Sequence, residues 1–149
     1  MKWMLWSVLL SLSMSTSYAD EGSKESQEHT VSVENTSKGI EMSPLEVVNK
    51  RMSLYNAHDL EGFLAMYSPD IAIYNYPDTF FGSGIDHISG IFAPLFVPGG
   101  VRTEVLSQLV NDSYVINEEI VTYPDREVRY VSIYEVREEK IKSVRFIRD

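Results

Sequence analysis

Cysteine is absent from the sequence, which excludes disulfides, thiolate catalysis, cysteine zinc sites and acylation of an N-terminal cysteine. Basic charge is scarce: 13 Lys and Arg stand against 22 Asp and Glu, a formal net charge of −9 at pH 7. Such a chain lacks the basic patches that nucleic acid and anionic lipid demand, so neither is expected as a partner. The three histidines, His29, His58 and His87, fall on a tail, a turn and a helix, which is no metal-ligand spacing. The sequence has no HExxH, no carboxylate cluster, no glycine-rich phosphate loop and no GxSxG elbow. No metal and no cofactor is expected, and serine-hydrolase chemistry is unsupported.

Long apolar runs are missing too. Trp3 to Met14 is apolar but short and interrupted by serines, a poor membrane span. It follows Lys2 and precedes Ser17-Tyr18-Ala19, which sets small residues where a signal peptidase inspects the chain. Residues 1–19 are therefore expected to be a cleaved leader, giving an exported protein, periplasmic or secreted, with no membrane attachment afterwards; an uncleaved N-terminal anchor is the alternative. Losing Lys2 with the leader takes the formal charge from −9 to −10. Residues 20–42 are Ser, Glu, Thr, Lys and Asn with scattered Val and Ile, too polar to offset their ordering entropy, and are expected to be a flexible tether.

What remains, residues 43–149, is the expected domain. With 44% hydrophobic and 11% aromatic residues the chain can build one core, not two. Ser43-Pro44-Leu45-Glu46 combines an N-cap serine, proline at the first helical position and glutamate three after the cap. Leu45, Val48, Met52 and Tyr55 then recur at helical spacing, and the helix is expected to stop near Ala57-His58. Asp59 is placed to cap a second short helix with Leu60, Phe63, Leu64 and Tyr67 inward, ended by Ser68-Pro69-Asp70. Ile71 to Tyr76 reads as a strand, Gly82-Ser83-Gly84 as a turn, and Ile85 to Phe96 as a helix weakened by Gly90 and Pro94.

After Pro98-Gly99-Gly100 the apolar period changes to two. Strands are expected over Arg102–Val110, Tyr114–Thr122, Glu127–Arg137 and Lys140–Ile147, with tight reversals at Asn111-Asp112-Ser113 and Glu138-Glu139. Helices first and an antiparallel sheet after them give an α+β domain. A strongly twisted sheet would wrap the first helix and leave a hollow at its open end.

Three stretches, YNAHDLEGFLAMYSPDIAIY, GSGIDHISGIFAPLF and VSIYEVREEKIKSVRFI, resemble the nuclear transport factor 2-like superfamily, in its SnoaL-like and ketosteroid-isomerase-like branch. The resemblance covers Ser43 to Asp149. It implies a cone-shaped fold, a strongly curved, mostly antiparallel sheet around N-terminal helices with an internal pocket, and frequent dimerisation through the sheet. It does not fix a reaction, since the superfamily holds isomerases, dehydratases, epoxide hydrolases, cyclases and non-catalytic binders. The steroid-isomerase pattern it implies places a helix tyrosine at Arg51, the carboxylate base at Asn75 and the second oxyanion donor at Tyr134. An amide accepts no proton at neutral pH and arginine is no phenol, so that machinery is mostly absent; only Tyr134 could still donate to an oxyanion.

Other residues could carry chemistry. Glu118 and Glu119 are adjacent on one strand, so one of them must face inward, where desolvation would suit an acid or base; pairing with Arg129 or Arg145 is the plainer expectation. Asp78, in the loop at the pocket mouth, is the carboxylate nearest the missing base. Tyr134, Glu118 and Asp78 are thus the catalytic candidates. Tyr55, Asn75, Ile73, Phe92, Tyr130, Val136, Phe146 and Arg51 are the candidate ligand-binding lining. His58 and His87 are expected on the surface.

Three functions fit. One is a binder of a small, largely apolar or aromatic molecule, without catalysis. Another is an isomerase, lyase or hydratase in the same pocket. The last is a protein-interaction module with an open sheet face, and a homodimer is compatible with all three. A catalytic site requires an inward carboxylate within hydrogen-bond reach of Tyr134 or Asn75.

Overall fold

The first helix starts where its cap dictates. In the computed structural model, which describes residues 41–148, α1 (Pro44–Asn56) opens with a full capping box. Ser43 accepts from the Glu46 backbone while the Glu46 side chain takes the Ser43 N–H. The expected leader and nearly all of the expected tether lie outside the described residues. Met42, at the tether's end, packs on the core and donates its N–H to Glu139 Oε1 at 2.6 Å.

Asp59 caps α2 (Leu60–Ala65) through Gly62 N. This helix ends earlier than expected, because Tyr67 already belongs to β1 (Tyr67–Asn75). Pro69 sits inside that strand at no cost to the ladder: pairing with the neighbouring strand skips from Tyr67 to Ala72. Strand β2 (Thr79–Ser83) was not legible as a strand. Its five residues are exposed apart from Gly82, and only pairing with β1 makes them extended. The expected third helix divides into α3 (Ile85–Phe92) and a 3₁₀ turn (Ala93–Leu95), the break falling just before Pro94.

The remaining strands, β3 (Arg102–Asn111), β4 (Tyr114–Thr122), β5 (Glu127–Arg137) and β6 (Lys140–Arg148), match the expected spans to within a residue. Their reversals use left-handed residues, Asp112 at φ 52° in the first and Glu138 and Glu139 at φ 51° and 57° in the last. One six-stranded sheet results, in the order β2-β1-β6-β5-β4-β3, antiparallel throughout except where β1 runs parallel to β6. The architecture is the expected α+β cone, a curved sheet clasping α1.

The core lies between α1 and the sheet's inner face. Val47, Val48, Met52 and Tyr55 from α1 meet Val115, Val121, Tyr134, Val136 and Val144 from the strands. Phe63 on α2 is fully buried, with its ring 4.9 Å from Phe92, 5.0 Å from Phe96 and 5.1 Å from Tyr67. These aromatics hold α2, α3 and the 3₁₀ turn together as one wall over the sheet.

Candidate functional site

Strand alternation decides which side chains reach the hollow. On β4 the odd-numbered residues face α1: Val115, Asn117, Glu119 and Val121 are all buried. Glu119 is therefore the inward carboxylate and is only 3% exposed. Across the sheet, Glu119 pairs with Tyr130 and Tyr130 pairs with Arg148, so these three form one row on the concave face. The next row holds Asn117, Ser132, Phe146 and Asn75.

Between this face and the helices lies a cavity of about 200 Å³. Its buried part is made by Arg51, Tyr55, Ile73, Thr103, Glu119 and Val121. Half-buried Phe92, Ile91, Leu95 and Phe146 form its walls, and Tyr123, Tyr130, Phe81 and Arg148 stand toward solvent. Asn75 also lines it.

The buried end is polar. Arg51 donates from Nε to the Tyr67 hydroxyl at 2.8 Å, and its guanidinium carbon lies 4.9 Å from the Phe63 ring centre and 5.1 Å from that of Tyr55. Burial works against its charge. Tyr134, Tyr67 and Glu119 around it more than offset that, and the Arg51 pKa is raised above the ordinary arginine value. The aromatic faces supply further cation–π attraction.

Glu119 Oε1 accepts from the Ser132 hydroxyl at 2.6 Å and from the Tyr134 hydroxyl at 3.4 Å. Its Oε2 is buried and has no hydrogen-bond partner among the described residues. Thr103 Oγ1 is in the same condition. Arg51 and Glu119 form no ion pair with each other, so a fixed cation and a carboxylate with a free oxygen line the same small space. Burial raises the pKa values of Tyr134, Tyr67 and Tyr55, with Arg51 pulling the other way, so all three hydroxyls keep their protons at neutral pH.

Of the residues singled out from sequence, Tyr55, Asn75, Ile73, Phe92, Tyr130, Phe146 and Arg51 line this cavity together. Four require correction. Glu118 faces the opposite side of β4, where it is paired with Arg129 and accepts from Ser107 at 3.1 Å. Asp78 is outside the cavity, its side chain 79% exposed and 3.5 Å from Arg145. Tyr134 is completely buried beneath Arg51 and Glu119 and lines no part of the space. Val136 is core near the Glu138–Glu139 turn, two residues further along β5.

His58 and His87 are not simply on the surface. His58 Nε2 lies 2.7 Å from the Val101 carbonyl, to which it donates, and His87 Nε2 is buried over Gly82. Phe81, Ile91, Leu95, Thr103, Val121, Tyr123 and Arg148 were missed from sequence. Alternation outward from Glu119 and Phe146 would have indicated Val121 and Arg148. Thr103 and Tyr123 depend on how far the sheet curls. Among the described residues no group of three or more His, Asp or Glu could hold a metal ion.

A domain of this fold, with a mixed polar and apolar cavity inside its cone, defines a class. Residues 48–144 match the model of the SnoaL-like domain, and the chain belongs to that family. Solved structures show the same fold. A protein described as of cystatin fold from Novosphingobium aromaticivorans is 24% identical with a TM-score of 0.64, over 72% of this chain and 99% of its own. An NTF2-like protein from Cytophaga hutchinsonii is 10% identical with a TM-score of 0.64, over 74% and 94%. An LEH-like epoxide hydrolase of M. tuberculosis is 14% identical with a TM-score of 0.59, over 71% and 82%. No curated protein matches the sequence.

Proposed function

We propose that this domain is an acid–base enzyme of isomerase or lyase type, acting on a compact, largely apolar carbonyl compound. The observation that carries this reading is the Glu119 carboxylate, buried with Oε2 unpartnered and lining the same cavity as the Arg51 guanidinium. Glu119 takes a proton from the carbon next to the substrate carbonyl. The C–H electron pair forms the C=C bond of an enolate, and the negative charge gathers on an oxygen facing Arg51. Where a β,γ double bond extends the enolate to a dienolate, return of the proton at the γ-carbon gives isomerisation, and departure of a β-substituent gives elimination. Ser132 and Tyr134 act through Glu119, holding Oε1 so that Oε2 is the oxygen left for chemistry. The M. tuberculosis neighbour, described as an epoxide hydrolase, supports the fold as a host for chemistry on small molecules.

Proton NMR of solvent deuterium uptake tests this, with 4-phenylbutan-2-one and 4-oxo-4-phenylbutanoate as probe ketones. Exchange at the α-carbon should be catalysed and should fall by about 10²- to 10⁴-fold in Glu119→Gln. Exchange no faster than in Glu119→Gln would sink the reading. Binding without exchange would favour the second reading, a ligand-binding protein, which the apolar walls of Ile91, Phe92 and Phe146 support.

Export and self-association belong to the same proposal. The outer sheet face carries Leu109, Tyr114 and Ile147, all more than a third exposed, which supports pairing of two copies there. Cell fractionation and analytical ultracentrifugation check these, and a cytoplasmic monomer would remove both.

A further inference from the structure

The cavity is charged at both ends, and the solvent end calls for its own explanation. Arg148 ends β6 on the concave face, opposite Tyr130. It makes no ion pair among the described residues, unlike Arg126, Arg129, Arg137 and Arg145, which all have carboxylate partners. Beside it, the Tyr123 and Tyr130 hydroxyls are 3.4 Å apart, close enough to share one acceptor. All three residues line the cavity. The lining holds Arg51 and Arg148 against the single carboxylate of Glu119, a local excess of positive charge in a chain of formal charge −9.

From this geometry we infer, building on the enzyme reading above, that the substrate is a carboxylic acid with an apolar body. Its carboxylate is held at the mouth by Arg148 and the Tyr123–Tyr130 hydroxyl pair. Its reactive carbonyl lies at the buried end, against Arg51 and Glu119.

The spacing sets the length of the body. Glu119 and Arg148 stand two strands apart in one row, about 10 Å between backbones. Two- or three-carbon keto acids are too short to touch both ends. A body of one ring or several methylenes spans the gap and covers Phe146 and Phe92 on the way. The guanidinium fork suits a carboxylate, and both tyrosines are donors. Burial, and then the bond to Tyr130, pushes the Tyr123 hydroxyl up to about 12, so it keeps its proton at neutral pH. Arg126, 4.6 Å above the Tyr123 ring, is already paired with Asp125 and supports the ring without competing for the ligand.

The test is a matched pair of ligands whose ring lies between ketone and acid group, 4-(3-oxobutyl)benzoate and 4-(3-oxobutyl)benzamide, titrated calorimetrically into the wild-type chain and four variants. The acid should bind about fivefold more tightly than the amide in low salt, as expected for an exposed charge pair aided by two hydroxyls, and salt should shrink the difference. Arg148→Gln should bring the acid down to the amide. Arg145→Gln, which alters an arginine stacked on Tyr74 outside the cavity, should leave the preference intact. Glu119→Gln should also keep it, which separates this inference from the enzyme reading: deuterium exchange decides catalysis and the acid–amide difference decides the mouth. Equal affinities, failure of the acid to bind at millimolar concentration, or a preference that survives Arg148→Gln overturns the inference. A preference lost instead in Arg51→Met would place the carboxylate at the buried end.

Discussion

The Asn56 side chain pairs with the Thr103 backbone as another strand would. Its Nδ2 donates to the Thr103 carbonyl at 2.9 Å and its Oδ1 accepts the Thr103 N–H at 2.8 Å. The last residue of α1 thereby fixes the start of β3, and His58 holds the Val101 carbonyl beside it. This junction sets Thr103 at the cavity, so the Asn-Ala-His-Asp-Leu step positions a wall of the site as well as turning the chain. Asn56→Ala leaves both Thr103 backbone groups unpaired at the buried residue of an otherwise largely exposed edge strand and should cost about 1–3 kcal/mol. Asn56→Asp keeps the acceptor but sets a carboxylate oxygen against the Thr103 carbonyl. At neutral pH it should therefore cost at least as much, and less in acid, where a protonated carboxyl can donate again. Thermal melts of the two variants at neutral and acid pH check the order.

Tyr67 is the hydrogen-bond acceptor for Arg51 Nε in the buried end of the cavity. Tyr67→Phe keeps the ring packed on Phe63 but strands a charged N–H, at a cost of about 1.5–3 kcal/mol. In the proposed reaction Arg51 faces the enolate oxygen, so on that reading kcat for exchange should fall in Tyr67→Phe while KM changes little. A fall in stability alone would mean that Tyr67 serves the fold and not the site.

Gly82 and His87 occupy each other's space. A Cβ at Gly82 would lie 2.0 Å from His87 Nε2 and 2.3 Å from two ring carbons. Gly82→Ala should therefore displace the imidazole and disturb Phe81, whose ring lies 5.7 Å from that of His87 and which lines the cavity. The cost should be about 1–3 kcal/mol, as for overpacking in other proteins, and should largely vanish in His87→Ala. Denaturant unfolding of the four chains gives the coupling. Additive effects would show that the two do not touch.

The helix start gives a pH prediction. The Ser43 hydroxyl and then its N–H lower the Glu46 pKa below the ordinary carboxylate range. A carboxyl with a depressed folded-state pKa stabilises above its unfolded value, about 4.3, and loses that contribution as pH falls through the folded value. Ser43→Ala should lower stability at neutral pH, and the gap to wild type should narrow in acid below pH ~4. Chemical unfolding at a series of pH values checks it, and a gap independent of pH would mean that the glutamate takes no part.

Most of the fold was legible because local rules and tertiary structure agree. The capping box, the Asp59 cap and the period-two strands after Gly100 each named their element, since no long-range contact opposes them. Strand β2 was not legible. Pro77, Asp78 and Gly82 read as loop punctuation, and only the neighbouring β1 supplies the pairing that straightens Thr79 to Ser83.

The carboxylate shows the limit for the site. Tyr114, Ile116 and Ile120 beside Glu118 make that face of β4 the more apolar one, yet it turns outward. The face with Asn117 and Glu119 is the one that α1 covers, shared across the register with Ser132 and Tyr130 on β5. The two polar residues are accommodated there by Gln108, Ser132 and Tyr134.

The sequence by itself determined every element but β2, the curved α+β architecture, the family resemblance and about half of the cavity lining. All of these follow from caps, turns and periods that act between near neighbours. Only the tertiary structure decided which glutamate is buried, that Tyr134 lies under the cavity floor, and that Arg148 reaches its mouth. Alternation along a strand says that successive residues differ in face, but packing between distant segments chooses which face is inside.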